Sequence, residues 1–553
     1  MKETIKKILN TQTKSVGFAS FILAGFYVAS ACLGLLRDHL LAGKFGAGNE
    51  LDVYYAAFTI PDFIALVLIF GAISAAIIPI FSSYVLKSKE EAWQYASALL
   101  NVFLIFLIAV CVIFILFAPF FVSLIAPGFS TSKKVDTVLL MRIMFLSPII
   151  LGISNMMSGI LQVFHRFLVT ALAPVMYNLG IIFGILFFVP RVGLAGLAWG
   201  VVLGGLLHLL IQVPAFLHSG FRYKKIFNFA HPGVLKTLRL MAPRSLGLGA
   251  GQLNSIVITS IASSLISGTV AIFNLANNLS GMMINAIAVS LSTAIFPSLS
   301  LAYLKEDKTD FKKKFSGAFL HILFLTVPVS ILIFILRAQI VRVILGTGKF
   351  GWIDTRLTAA CLGIFSVSLC AQGIIFLLSK TFYAAHNTKI PAAISVVTVA
   401  CNIAMSLFFV WLLNSSGIFF HFLQFALKLQ DIKNINVVGL SLAFSITAII
   451  EALLLLFFLY KKYKTFGVRN MCFSIYKIFI AGAVMAVCAL FVRQGLVRYD
   501  IINLQTFFGV FLQLLLTAFT GIIFYVLVSF LLKSLELQAI TEAFLKKHHA
   551  GSD

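Results

Sequence analysis

Apolar runs long enough to cross a bilayer follow one another along this chain almost without a break, and that succession decides its fold class. A membrane span needs roughly 20 apolar residues. Fourteen candidates are present, near 16–36, 52–85, 95–118, 136–161, 169–189, 194–217, 236–265, 269–303, 315–336, 355–383, 391–413, 436–460, 473–492 and 505–532. Several exceed the minimum, which allows tilt or bending. Pro61, Pro79, Pro243 and Pro297 fall inside spans, and their missing N–H predicts kinks there. The expected fold is an all-α membrane protein of about fourteen transmembrane helices.

Composition narrows the function classes. The chain has 553 residues, 61% hydrophobic and 11% charged. Its length would allow several soluble domains, but the near-continuous apolar runs predict one membrane body. A net charge of +24 would suit a nucleic-acid binder. The basic residues, however, sit in short clusters between spans, which points to topology and anionic lipid contact instead. One side of the membrane collects 24 of them, among them Lys6, Lys7, Lys87, Lys224, Lys308, Lys314, Lys461 and Lys547, and the other side 12. The excess places both termini in the cytoplasm. The start, MKETIKKILNTQTK, is basic and polar without a small-residue cleavage site, so it is expected to stay in the mature chain. The seven cysteines (32, 111, 361, 370, 401, 472 and 488) lie in or beside apolar runs without metal-ligand spacing. They read as small core residues, and neither a disulfide nor a metal site is expected.

The chain repeats itself. Ile73-Ser74-Ala75-Ala76-Ile77-Ile78-Pro79 is echoed by Leu291-Ser292-Thr293-Ala294-Ile295-Phe296-Pro297 at an offset of 218. Asp136-Thr137 recurs as Asp354-Thr355 at 218, and Pro174 as Pro391 at 217. Six spans separate each pair, so sidedness is kept and the repeat is parallel. The expected domains are a six-helix lobe over 1–220, a second over 221–465, and helices 13 and 14 with a cytoplasmic tail over 466–553. Two such lobes with a cleft between them form an alternating-access layout.

Charge within the apolar stretches marks candidate sites, because charge at membrane depth is costly. Arg37 and Asp38 end the first apolar helix before a glycine-rich turn (Gly43, Gly46, Gly48). The guanidinium fork suits phosphate oxygens, and Asp38 can orient it or respond to protonation. The structural alternative is a membrane-edge pair that stops the helix. The next helix opens with Asp52 and carries Asp62 about three turns in. Asp52 could serve a site or cap the helix beside the turn.

The order Arg37-Asp38, Phe45-Gly46-Ala47-Gly48, Asp52-Val53-Tyr54-Tyr55-Ala56-Ala57-Phe58, Pro61, Gly71-Ala72 and Pro79 resembles the MurJ (MviN) family of bacterial lipid II flippases, within the superfamily of multidrug and oligosaccharide exporters. The resemblance runs over nearly the whole chain. It takes in Ala126-Pro127-Gly128-Phe129, Gly196-Leu197-Ala198-Trp199-Gly200, Phe296-Pro297-Ser298, Gly348-Lys349-Phe350 before Asp354-Thr355, and Asn387-Thr388-Lys389-Ile390-Pro391. It implies fourteen spans, a bacterial inner-membrane location and lipid II as cargo. It also implies a cavity Arg-Asp pair engaging the lipid pyrophosphate, a family acidic position at Asp52, and a lipid-tail groove at spans thirteen and fourteen. The chain departs from the family at Ala31, Ala65, Leu66 and Phe70, where members often carry charge. It has Asn277 and Asn278 where an Asp-Arg pair is usual. Those losses leave the cargo open to a related polyprenyl-pyrophosphate lipid.

Arg244 is the candidate replacement. It lies about eight residues inside the seventh span, roughly 12 Å at the helical rise. Gln252 and Asn254 share its span, and Asn274, Asn277, Asn278 and Asn285 lie on the next. Arg244, Gln252, Asn277 and Asn278 therefore join Arg37, Asp38 and Asp52 as substrate-binding candidates. Against that stand a snorkelling Arg244 and asparagines acting as interhelical glue. Arg142 and Glu451 are single charges in apolar spans, and His165, His208, His321 and His386 read as structural. The loop near 414–435 is apolar enough to lie on the membrane surface.

No GxxxxGK[ST] loop or catalytic acidic motif is found, so ATP is no direct energy source and no enzyme activity is expected. The expected function is lipid II flipping by alternating access. No cofactor is expected, and coupling would come from membrane potential or a monovalent cation. The expected partners are the cargo lipid and membrane lipids, with the chain acting as a monomer. The rivals are an exporter of another polyprenyl-linked glycan or a drug, and a non-transporting membrane scaffold.

Overall fold

The computed structural model describes residues 16–70, 73–415, 417–463, 468–499, 502–539 and 541–542. Its regular elements are helical throughout. In chain order they are α1 (Val16–Phe45), α2 (Asn49–Ile64), α3 (Ile73–Val85), α4 (Lys89–Leu116), α5 (Ala118–Ile125), α6 (Thr131–Met144) and α7 (Leu146–Val163). Then come α8 (Phe167–Phe183), α9 (Val189–Val192), α10 (Ala195–Leu210), α11 (Val213–His218), α12 (Pro232–Ser263), α13 (Thr269–Ile284) and α14 (Ser290–Leu304). Last are α15 (Lys308–Ile344), α16 (Trp352–Ala384), α17 (Lys389–Asn414), α18 (Ile418–Leu427), α19 (Asn436–Tyr463), α20 (Val468–Arg498) and α21 (Phe507–Leu531).

Among the described residues, twelve helices are long and apolar enough to cross a membrane. The first and seventh expected spans fall on α1 and α12, which are 30 and 32 residues long and lie outside that set of twelve. The helices run on through Pro61, Pro79 and Pro297. Among the described residues, three π-helical turns, Ala65–Phe70, Gly184–Phe188 and Asn285–Val289, interrupt the α-helical pattern. Such turns widen the helix by one residue and free it from strict i→i−4 pairing. The apolar loop near 414–435 contains the ten-residue α18.

The chain divides into two compact units, residues 1–271 and 272–553. The sequence repeat assigns α12 to the second lobe, whereas its packing groups it with the first unit, against α2, α3 and α5. A repeat boundary follows descent of the sequence; a packing boundary follows which apolar faces are buried together.

In the first unit the clamp that positions the site is a glycine seam. Gly196, Gly200 and Gly204 recur every fourth residue along α10 and face Gly180 and Gly184 of α8 and its π-turn. A Cβ on Gly180 would lie 2.3 Å from the Cα of Gly204, and one on Gly184 2.4 Å from the Cα of Gly200. Without side chains at the seam the backbones approach to contact, which is how helices associate where lipid supplies no hydrophobic drive. Lys44, in the last turn of α1, donates to the carbonyl of Ile185 in the π-turn at 2.8 Å. That bond ties α1 to α8 at one end. Asn178 ties them further along, donating to the backbone oxygen and hydroxyl of Ser30, each at 3.2 Å.

In the second unit, Ile335, Leu336 and Ala489 form a core between α15 and α20, joined by Leu514 and Ala518 of α21. On α21 all the buried residues but Val510 recur every fourth position and are small or polar: Gly509, Gln513, Thr517, Gly521, Tyr525 and Ser529. The opposite face is apolar and open, with Phe519 66% and Phe530 73% exposed. This inverted amphipathicity fits a helix whose outer solvent is hydrocarbon.

Candidate functional site

The end of α1 brings Arg37 beside α8. Residues i and i+1 do not face each other on a helix, yet the Arg37 side chain folds back. Its Nε and Nη2 donate to Asp38 Oδ1 at 3.0 and 2.9 Å. Nη1 donates to Asn178 Oδ1 at 3.3 Å. Asp38 is 5% exposed and Arg37 23%, so the carboxylate is held inside while the guanidinium reaches out. Of the five N–H groups of a guanidinium, these bonds use three. The other two, one on each terminal nitrogen, have no hydrogen-bond acceptor among the described residues and are free for an oxyanion.

Arg37 lines a half-open cavity of about 290 Å³ formed by residues of the first unit. Arg37, Asp62, Ser147, Tyr177 and His208 supply its polar lining, and Phe58, Pro61, Ala65, Met144, Leu151 and Val201 much of the rest. Five different helices, α1, α2, α7, α8 and α10, therefore contribute a polar group to one largely apolar pocket, the arrangement typical of ligand sites. Asp62 is hydrogen-bonded to Gln252 of α12. His208 is anchored from behind. Its Nδ1 lies 2.7 Å from Ser154 Oγ, Gln212 Nε2 donates to the same oxygen at 2.8 Å, and Ser158 donates to Gln212 Oε1 at 2.7 Å. That network holds the ring at the cavity lining with its Nδ1 engaged.

Asp52 has a different place. Its Oδ2 accepts from Gly268 N at 2.7 Å and from Lys133 Nζ at 3.2 Å, and Oδ1 accepts from Ala271 N at 3.0 Å. The carboxylate thus satisfies two N–H groups at the start of α13, whose first residues belong to the first unit, and it pairs with a lysine of α6. Capping was the structural alternative for Asp52. The geometry adds that the capped helix is not its own but one more than 200 residues later in sequence. An anion at a helix N-terminus meets both the unpaired N–H groups and the dipole.

Of the sequence candidates, Arg37, Asp38 and Gln252 thus gather at or directly behind the cavity, and Asp52 lies at the α13 start. Asn277 and Asn278 are half-buried on α13 within the second unit. The side chain of Arg244 lies outside the described residues. Asn178, Tyr177 and His208 were not among the sequence candidates. They are neutral residues on helices far along the chain, and only the glycine seam, visible as Gly196-x-x-x-Gly200-x-x-x-Gly204, hints that α8 and α10 pack tightly. Asp62 was visible as a charge at membrane depth, but nothing in its local pattern joined it to Arg37. Among the described residues no group of histidine, cysteine or acidic side chains could hold a metal ion.

Comparison with known proteins bears on this site. The family model described as lipid II flippase MurJ matches residues 41–506. A probable lipid II flippase MurJ of Buchnera aphidicola subsp. Acyrthosiphon pisum is 29% identical over 462 residues, 81% of this chain and 90% of that protein. The lipid II flippase MurJ of Burkholderia cenocepacia is 27% identical over 409 residues, 72% of this chain and 79% of that protein. Among solved structures, a lipid II flippase MurJ in an inward closed conformation superposes with a TM-score of 0.72 at 26% identity, covering 91% of this chain and 97% of that one. An inward-facing multidrug resistance MATE family transporter of the MOP superfamily shares the fold, with a TM-score of 0.62 at 14% identity over 84% of this chain and 98% of that one.

Proposed function

The chain belongs to the lipid II flippase MurJ family, and on that premise we propose that it carries lipid II across the bacterial inner membrane by alternating access, with Arg37 as the anchor for the pyrophosphate. The observation that carries the activity is the family match over residues 41–506. Support for the anchor comes from the two unused N–H groups that Arg37 presents to an apolar cavity. A guanidinium there is suited to bind an oxyanion bidentately. Asp38 keeps the fork aimed. At about 290 Å³ the cavity sits near the lower end of ligand-pocket volumes, roughly 300–1,000 Å³. In this conformation it suits the phosphates rather than the whole glycopeptide headgroup.

In this reading the headgroup enters from the cytoplasmic side, the polyprenyl tail stays in the bilayer, and both chain termini are cytoplasmic, as the 24-to-12 bias of basic residues supports. Membrane potential drives the anion outward at about 2.3 kcal/mol per charge per 100 mV. The test is rescue of a bacterium depleted of its own flippase, together with transfer of fluorescent lipid II in proteoliposomes. Wild type should do both. Growth without any measurable lipid II transfer in vesicles would overturn the cargo. Transfer by an Arg37→Ala variant at the wild-type rate would overturn the anchor while leaving the activity standing.

A further inference from the structure

The C-terminal helices bring together an arginine pair that the cavity does not use. Arg337 lies on α15 about two turns before its end, and Arg493 lies in the last turns of α20. Arg337 Nη1 donates to the carbonyl of Phe334 at 2.9 Å, and Arg493 Nη1 donates to the carbonyl of Ile335 at 2.6 Å. The two guanidiniums therefore rest on consecutive carbonyls of one helix, close enough to repel each other. Space for Arg337 is made by Gly363 on α16, where a Cβ would come within 2.6 Å of its Cδ. Its guanidinium stands 5.0 Å over the Phe334 ring. Among the described residues no carboxylate pairs with either arginine.

Two like charges side by side in a membrane body, above an apolar core and without a counter-charge, are costly. Each keeps four of its five N–H groups without a protein acceptor among the described residues. We propose that Arg337 and Arg493 form a binding site for the phosphate of a membrane-anchored lipid. An oxyanion between the forks cancels the repulsion and takes up the open donors in charge-assisted bonds. The surface beside the pair favours a lipid over a free anion: Phe334 is 44% and Phe491 72% exposed, giving an acyl or prenyl chain an apolar wall. The pair lies toward the end of the second unit opposite the Lys308–Lys314 cluster, which the charge bias assigns to the outer leaflet. Both anionic phospholipids and polyprenyl phosphates present this chemistry. The site stands apart from the Arg37 cavity and does not depend on the cargo proposed for it.

The test uses the purified full-length protein and native mass spectrometry, counting retained phosphatidylglycerol against phosphatidylcholine. Wild type should prefer phosphatidylglycerol, and Arg337→Gln with Arg493→Gln should lower that preference about ten-fold, the value of one charge-assisted bond. The Arg337→Lys with Arg493→Lys protein should keep most of it, because charge is retained. If the double Gln protein does not fold, the single Arg337→Gln should still show a several-fold loss. A polyprenyl monophosphate added in equal amount identifies the source: displacement of phosphatidylglycerol assigns the site to cargo-type lipids, and no displacement assigns it to bilayer lipid. Equal phosphatidylglycerol retention by wild type and a folded Gln variant would overturn the site. Lipid II transfer in vesicles, measured in parallel, reports separately on the flippase reading.

Discussion

The helix that follows the glycine-rich turn and its partner in the repeat are built to one plan and filled differently. α2 runs into a π-turn at 65–70, and α13, most of which lies in the second unit, runs into one at 285–289, within two residues of the 218 offset. Pro79 and Pro297 then hold the same place in α3 and α14. At that offset, however, Arg37, Asp38, Asp52 and Asp62 correspond to Ser255, Ile256, Val270 and Ser280. The backbone device thus forms with or without the charges. Charges that a fold does not need, kept at a depth where they are costly, belong to function or to a neighbour's capping. The contacts of Asp52 point to the second, and the first is what is proposed for Arg37 and Asp62.

Giving the first unit the residues of the second should break it in proportion to these roles. The largest effect is expected at the anchor. Arg37→Ser, its repeat equivalent, should lower lipid II transfer in vesicles at least about hundred-fold, the value of two charge-assisted bonds to a phosphate. Arg37→Lys should fall between, since it keeps charge but loses the fork. A rate for Arg37→Ser above a tenth of wild type would remove Arg37 from the site.

Asp52→Val, again the repeat residue, should act on stability. It leaves Lys133 and two N–H groups at the start of α13 without an acceptor, at a cost of about 2–4 kcal/mol. A thermal-unfolding scan of the purified protein should show a clearly lower midpoint, with Asp52→Asn smaller because its amide oxygen still accepts. An unchanged midpoint would mean that the capping contact carries no weight.

Asp62 sharpens the contrast, since its effects should have opposite signs. Asp62→Asn keeps a partner for Gln252 and removes a buried charge, so the protein should melt higher. Transfer should nevertheless drop about ten-fold if the carboxylate at the cavity wall takes part in transport, since the charge is lost while the bond to Gln252 is kept. The reciprocal Ser280→Asp places a charge where the serine is 2% exposed and its hydroxyl has no partner among the described residues. It should destabilise the protein by about 3 kcal/mol or more. If Asp62→Asn lowers the melting temperature and leaves transfer intact, the carboxylate is structural.

How much of this was legible beforehand depended on what the residues share in sequence. The membrane class, the recurring heptapeptide and Arg37-Asp38 announce themselves because apolar length, a repeated motif and a charge within an apolar stretch are read directly from the sequence. The π-turns do not, because Ala65–Phe70 is an unbroken apolar hexapeptide that reads like any helix. The cavity was half legible. Gln252 was recognised from the polar face of α12, but its partner Asp62 is nearly 200 residues away, and only packing shows that they meet. Asn178 and His208 carry no charge and acquire meaning from their neighbours alone. Asp52 is the instructive case: the residue type was read well, while its partner helix could not be inferred from spacing.

The smallest expected effect lies where the second unit has a feature that the first lacks. Between α9 and α10 the first unit has only Gly193 and Leu194, whereas the second connects α17 to α19 through residues 415–435, including α18. That connection is strapped to α16. Arg356 Nη1 pairs with Asp431 Oδ2 at 2.5 Å, and Nη2 donates to the carbonyl of Lys428. The hydrogen bond from Arg356 holds the Asp431 carboxyl below its ordinary range. A depressed folded-state pKa contributes stability that is complete above the unfolded value, about 3.9, and is lost as pH falls through the folded value. The strap should therefore hold at pH 6 and loosen only below about pH 4. Asp431 is 67% exposed, so solvent screening keeps the effect small and local. Hydrogen exchange over residues 428–435, corrected for intrinsic rates, should speed up by no more than roughly five-fold between pH 6 and pH 3. Asp431→Asn should show the faster exchange at both pH values, and the short turn at Gly193 and Leu194 should show no such change. Equal pH responses in wild type and Asp431→Asn would mean that the loop is held by the apolar packing of α18 and not by the ion pair.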